Sequence, residues 1–140
     1  MNTNSDYFRR AFVGQAMQIL SSALANSERL TRAQLIERTL ACRPPAYFVS
    51  YEYASRVLHK IMDAPAGSIG RTLRTGMWLE LADEVRAVMA MRGLRFCKAL
   101  TFVLSYRRPS RWYISADHAA TILRDFIKVN KTVASNGRFA

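Results

Sequence analysis

A sixteen-residue segment occurs twice in this chain, and this repetition restricts the fold more than any other feature of the sequence. Residues 43–58 align without gaps to residues 108–123, with five identical positions and five chemically similar ones. In both copies an Arg-Pro pair leads through two neighbouring aromatic residues to a serine, after which helical periodicity begins. Each unit is too short to bury its own apolar faces well, so two copies are expected to pack on each other. The sequence therefore predicts two repeated units that are arranged about a pseudo-two-fold axis and close one core.

Apolar residues that recur at steps of three and four predict a mainly α-helical protein with about six helices. Local signals mark several of their ends: Thr31 and Gln34 form a capping box, Ser50 and Ser115 are N-caps, and Gly93 is a C-terminal cap. The expected helices cover about residues 6–25, 32–42, 51–62, 76–92, 94–105 and 116–129.

Prolines and β-favouring residues predict extended backbone between the second and third helix of each half, at residues 45–50 (arm 1) and 109–114 (arm 2). Each unit thus has the order helix, helix, extended arm, helix. Because the arms fall at equivalent positions, their pairing as a short two-stranded ribbon is a hypothesis. The first repeat is assigned to residues 1–64, a linker to 65–75, the second repeat to 76–129, and a flexible basic tail to 130–140.

The charge balance favours a polyanionic partner. The chain of 140 residues has 21 Lys and Arg against 10 Asp and Glu, a net charge of +11, and only four of the cations are lysines. Arginine carries a planar donor fork that matches phosphate, whereas lysine is a general solubilising cation. A basic but inert surface is the alternative interpretation of the same numbers.

Several classes of protein are disfavoured by the pattern of residues. Cys42 and Cys97 lack the spacing of a metal site or a disulfide framework, the first residues are polar, and no apolar run reaches membrane-spanning length. His59 and His118 lie far apart, and neither stands in a catalytic motif. We therefore expect a non-catalytic, cytoplasmic protein with no metal, cofactor, small-molecule substrate or membrane partner.

Arginines gather near both arms and are interleaved with aromatic residues, and a second basic group follows the linker. Alternate arm residues, such as Tyr47 and Trp112, are expected to enter the core, which leaves Phe48 and Tyr113 facing outward. The expected nucleic-acid-binding residues near the arms are Arg38, Arg43, Phe48, Arg107, Arg108, Arg111 and Tyr113. Those of the second group are Arg71, Arg74, Arg95 and Lys98, and Arg92 lies among them.

These residues predict a nucleic-acid-binding protein, with DNA favoured over RNA and duplex DNA as the expected form. Two geometries stay open. Ser50 and Ser115 place helix N-termini against phosphates in the first, and a paired ribbon of the two arms enters the major groove in the second. The alternative function is a structural or interaction protein, such as a helical adaptor or a phage or mobile-element assembly component, that forms a homo-oligomer.

The arms also carry a resemblance. Residues 44–50, Pro-Pro-Ala-Tyr-Phe-Val-Ser, and 109–115, Pro-Ser-Arg-Trp-Tyr-Ile-Ser, are each followed within two residues by an acid and then by alanine. They resemble a segment of small uncharacterised proteins of Bacteroides-type bacteria and their mobile elements, in which a helix leads into a proline–arginine–aromatic–valine–serine stretch. The first copy departs from this pattern at Ala46, where the second has Arg111. The resemblance covers about sixteen residues in each half and implies a bacterial or mobile-element setting, without an activity.

Overall fold

Six α-helices form the part of the chain that the structure, a computed structural model, describes, namely residues 3–65, 68–70 and 72–136. The mainly α-helical class predicted from periodicity is therefore confirmed. The helices are α1 (Thr3–Ala25), α2 (Arg32–Leu40), α3 (Tyr51–Asp63), α4 (Leu73–Arg92), α5 (Phe96–Tyr106) and α6 (Ala116–Asn136). Helix α4 begins inside the predicted linker, and α6 continues into the predicted tail, whose residues 137–140 lie outside the described ones. None of these helices combines the length and apolar character that a membrane span requires.

Four helix ends lie where short-range signals in the sequence placed them. The Thr31 hydroxyl accepts a hydrogen bond from the Gln34 N–H at 3.1 Å, and the Gln34 side chain accepts one from the Thr31 N–H at 2.9 Å, which completes the capping box. Ser50 and Ser115 each accept a bond from the backbone N–H three residues on. Gly93 has a φ of +64°, the left-handed conformation that ends many helices and that glycine adopts without strain.

The third helix of each half packs on the first two helices of the other half. Helix α3 contacts α4 and α5, whereas α6 contacts α1 and α2. Two separate clusters of buried side chains result, and each contains helices from both halves. Core 1 is formed by Tyr47, Ala54, Leu58, Trp78, Leu81, Ala82, Val85, Val88, Ala99, Leu100 and Val103. Core 2 is formed by Phe12, Ala16, Leu35, Ile36, Trp112, Ile114, Ala119, Ile122 and Leu123. The expectation of one shared core was wrong, because the arms carry the third helices across to opposite partners.

Three aligned pairs of the repeated segment are core residues in both copies, and in each pair the first copy contributes to core 1 and the second copy to core 2. The pairs are Tyr47 and Trp112, Ala54 and Ala119, and Leu58 and Leu123, all at most 5% exposed. These three pairs therefore have like environments in the fold.

The starts of the two arms are joined by arginine side chains. The Arg43 guanidinium donates to the carbonyls of Pro109 at 3.2 Å and Arg108 at 2.8 Å. The Arg108 guanidinium donates in return to the carbonyls of Pro44 at 2.8 Å and Arg43 at 2.9 Å. No β-strand occurs in the described residues, so the arms do not pair as a ribbon there. Proline has no N–H for a strand ladder, and the guanidinium groups occupy carbonyls that such a ladder would use.

Both arms are also fastened to α4. The Tyr47 hydroxyl donates to Glu84 at 2.7 Å, and the Tyr113 hydroxyl donates to Glu80 at 2.8 Å. The N–H and hydroxyl of Ser110 donate to Glu80 as well, at 3.0 and 3.1 Å. Burial and the neighbouring carboxylates raise the pKa of Tyr47 and Tyr113 above the usual value, so both phenols stay protonated donors to higher pH than an exposed tyrosine does. The two carboxylates thereby fix the course of both arms across one helix.

Candidate nucleic-acid interface

Three of the predicted contact arginines use their donors within the protein. Arg43 and Arg108 hold the starts of the arms together, as described above. Arg38 forms a two-pronged pair with the Glu28 carboxylate, and this pairing lowers the pKa of Glu28 below its usual value. Each of these guanidinium groups uses two of its five N–H donors in these bonds. The three arginines therefore have a structural role, and their contact with nucleic acid stays a prediction.

The two aromatic residues expected to face outward are held by neighbours. Phe48 meets the Phe8 ring edge to face at 5.8 Å and lies parallel to the Trp112 ring at 6.5 Å, so it packs against core 2. Tyr113 is half-buried on α4 through its bond to Glu80, and the Arg111 guanidinium lies 5.5 Å from its ring centre. The outward face predicted for Phe48 is therefore a packing face.

The second predicted group is divided among different places. Arg74 is exposed in the first turn of α4, and Arg71 lies outside the described residues. Arg95 and Lys98 are exposed at the start of α5, and Arg107 directly follows the end of that helix. The structure thus brings Arg95, Lys98 and Arg107 together on one element.

These three cations belong to a continuous basic and aromatic surface. Arg95, Lys98, Phe102 and Tyr106 follow one another at steps of three, four and four, which places them on one side of α5. Arg92 and Arg107 reach this side from the two ends of the helix. We name the six residues the α5 surface.

Phe102 is the centre of the α5 surface. The guanidinium carbon of Arg92 lies 4.3 Å from the Phe102 ring centre, and that of Arg107 lies 5.7 Å from it. The Tyr106 ring is 5.1 Å from the same ring and is inclined to it by 48°. One aromatic ring therefore holds two cations beside a second ring that is 74% exposed.

The charge of this region has one sign over a long stretch. Between Glu84 and Asp117 the sequence contains no acidic residue, whereas it contains Arg86, Arg92, Arg95, Lys98, Arg107, Arg108 and Arg111. Phe102 and Tyr106 were missed as candidate contacts because helical periodicity alone assigns α5 aromatics to a core. The acid-free run was the signal in the sequence that marks this element.

Helix α5 also begins without the cap that α2 has. Helices α2 and α5 can be aligned by their buried residues: Ala99, Leu100 and Val103 of α5 take the positions of Leu35, Ile36 and Thr39 of α2. In this alignment Arg95 and Lys98 stand where α2 has Thr31 and Gln34. Arg95 stands at the N-cap position with no side-chain hydrogen bond, since a guanidinium cannot accept one. Two cations next to the positive end of a helix dipole destabilise that end and raise the local positive potential.

A shallow cleft of about 360 Å³ lies elsewhere, between α1 and α2. Side-chain amides and hydroxyls line it, and the Glu28–Arg38 pair closes one side. Among the residues whose placement is described, no group of three or more His, Cys, Asp or Glu side chains is arranged to hold a metal ion. The α5 surface is consequently the strongest candidate site by charge, exposure and aromatic content.

No protein-family model, curated protein sequence or solved structure matches the chain.

Proposed function

We propose that this chain binds nucleic acid, with DNA as the first candidate, through the α5 surface and without catalysing a reaction. The observation that carries the proposal is the pair of guanidinium groups on the Phe102 ring. Cation–π attraction holds both groups near the ring, at positions from which their N–H donors are expected to bind phosphate oxygens. Arginines held in this way lose less conformational freedom on binding than free side chains do.

The absence of acidic residues from 85–116 supports the same proposal. Carboxylates placed among the cations would attract them and repel phosphate, so their exclusion keeps the local field positive. The uncapped start of α5 adds to this field, because Arg95 and Lys98 stand where α2 has neutral capping residues.

The proposal includes two copies of a helix–helix–arm–helix unit, only the second of which carries a binding surface. The matched burial of aligned residues and the reciprocal Arg43 and Arg108 bonds support this arrangement. In α2 the position equivalent to Phe102 is occupied by Arg38, whose charge is paired with Glu28. We therefore expect one nucleic-acid site per chain.

The test is the salt dependence of binding to labelled duplex and single-stranded DNA of equal length, followed by fluorescence anisotropy. If Arg92, Arg95, Lys98 and Arg107 each neutralise one phosphate, the log–log slope is about −3.6 on duplex and about −2.8 on a single strand. In the double variant Arg92→Ala/Arg107→Ala the slopes fall to about half of these values, because two of the four phosphate contacts are lost.

The matched control is Arg9→Ala/Arg10→Ala, which removes the same charge from exposed positions on α1. We expect this control to change the slope little, and both variants to keep the circular dichroism spectrum of the parent chain. Equal losses in the two variants would show that total charge rather than the α5 surface determines binding. Binding that does not depend on salt would contradict the proposal altogether.

A second candidate is an interaction protein that self-associates, such as a helical adaptor or an assembly component. The observation in its favour is Met91, which is 80% exposed on α4, next to Arg92. Sedimentation at increasing concentration tests this candidate: a dimer that Met91→Ser abolishes supports it. A chain that stays monomeric and binds DNA contradicts self-association and supports the nucleic-acid proposal.

A further inference from the structure

Tyr106 is the more exposed ring of the α5 surface. Its side chain is 74% exposed at the last position of α5. Phe102 lies beneath two guanidinium groups, whereas the cation–π contacts of the described residues do not include the Tyr106 ring. Tyr106 contacts the Phe102 ring, with 5.1 Å between the ring centres, and most of its side chain stays exposed. The ring therefore adds exposed apolar area beside a concentrated positive charge.

We infer that Tyr106 is a stacking platform for an unpaired base, so that the chain prefers single-stranded nucleic acid to a duplex. This inference rests on the proposed function and names the form of its ligand. Base–aromatic stacking depends on a free base face and tolerates any sequence, because every base has one. Arg92 and Arg107 both contact the Phe102 ring that Tyr106 touches, so phosphates next to a base stacked on Tyr106 are expected to meet their guanidinium groups.

A duplex does not offer what this ring can bind. Base faces inside a duplex are covered by their neighbours, and exposing one requires unstacking and unpairing. The sequence favoured duplex DNA on the expectation of two symmetric reading elements, whereas the α5 surface has no charged and open counterpart on α2. On a duplex the cations of the surface contact phosphates while Tyr106 stays in water.

The experiment compares three labelled probes of one length: oligothymidylate, an abasic oligodeoxyribose phosphate, and a duplex. The first two present the same phosphates and differ in bases alone. We expect the parent chain to bind oligothymidylate the tightest, and Tyr106→Ala to weaken that binding about tenfold. The abasic strand and the duplex should be bound by Tyr106→Ala within about twofold of the parent chain, because their phosphate contacts persist.

Two further variants separate stacking from folding. Tyr106→Phe keeps the ring and should keep the affinity for oligothymidylate. Tyr7→Ala removes another exposed tyrosine, on α1, and should change none of the three affinities. If Tyr106→Ala weakens all three probes equally, the ring acts on the shape of the surface and the inference is overturned.

The inference and the proposed function fail in different ways. Equal affinity for oligothymidylate and the abasic strand, with Tyr106→Ala binding both as the parent does, overturns the stacking role while leaving nucleic-acid binding intact. A chain that binds none of the three probes at low salt contradicts the proposed function itself.

Discussion

Arginine has three structural roles in this protein, which differ in the partner that the guanidinium meets. Arg38 meets a carboxylate, and Arg43 and Arg108 meet backbone carbonyls. Arg92 and Arg107 lie beside an aromatic ring, an interaction that uses the π face of the ring and not a hydrogen-bond acceptor. The net charge of +11 therefore says less about binding than the identity of each partner does.

The bonds between the arms give a prediction about stability. We expect Arg43→Ala to lower the free energy of unfolding by about 1–2 kcal/mol, because the carbonyls of Pro109 and Arg108 each lose a donor. Arg43→Lys should recover less than half of this loss, since an ammonium lacks the fork that reaches both carbonyls. Urea denaturation followed by circular dichroism measures the difference.

The control for this prediction is Arg124→Ala, an exposed arginine on α6. A loss in Arg43→Ala no larger than in the control would show that the bonds between the arms do not stabilise the fold. Binding to nucleic acid should be retained in Arg43→Ala, because the α5 surface is intact.

The missing cap at the start of α5 gives a prediction about both stability and binding. The double variant Arg95→Thr/Lys98→Gln places the capping residues of α2 at the equivalent positions. We expect the free energy of unfolding to rise by about 1 kcal/mol, since a threonine N-cap satisfies an N–H that arginine leaves open. The same variant should bind DNA with a slope reduced by about half, because two of four cations are gone. Thermal unfolding and anisotropy measure the two effects.

The reverse exchange in α2, Thr31→Arg/Gln34→Lys, is the matched control and should lower stability by about 1 kcal/mol, because the observed capping box is lost. If the free energy of unfolding of the α5 variant is no higher than that of the parent chain, Arg95 and Lys98 do not destabilise the start of α5, and this prediction is contradicted.

Helix positions were largely predictable from the sequence because they depend on neighbours along the chain. Thr31, Ser50 and Gly93 set helix ends through groups at most a few residues away. The packing of α3 and α6 on the opposite halves of the chain was not predictable in this way. Periodicity shows which face of α3 is apolar but not which helix covers that face. For the same reason the sequence shows Arg43 only as a cation near arm 1, because its backbone partners lie more than sixty residues away.

The candidate site was predicted in part. Arg95, Lys98 and Arg107 were recognised from charge, whereas Phe102 and Tyr106 were not, because aromatic residues at helical spacing are usually core residues. Phe102 does pack against core 1, and its contacts with two guanidinium groups show that the ring also faces the basic side of α5.

The two cores use different helices, but each arm also contacts the side of the other core, and this arrangement predicts a single unfolding transition. The chain has two tryptophans, and the fold places Trp78 in core 1 and Trp112 in core 2. Phe48 of arm 1 packs against core 2, and Tyr113 of arm 2 is bonded to α4, which carries core 1, so loss of one core should release the other. In Trp78→Phe and in Trp112→Phe, the midpoint by fluorescence of the remaining tryptophan should equal the midpoint by circular dichroism.

Comparing the two probes within each variant removes the effect of the substitution on overall stability. A fluorescence midpoint that is separated from the circular dichroism midpoint in either variant would show that the two cores unfold independently. The contacts of the arms would then not couple the stability of one core to that of the other.

The packing of each third helix on the opposite half also sets when the helices of each core are present during synthesis. Helices α3, α4 and α5 follow one another in the chain, so all helices of core 1 are present once α5 leaves the ribosome. Core 2 must wait for α6, although α1 and α2 precede every helix of core 1. Phe12 and its neighbours thus lack their partners on α6 while core 1 is being made, and apolar surface left exposed in this interval favours chaperone binding or aggregation. Of the two cores, the one whose first helices are made earlier is completed later.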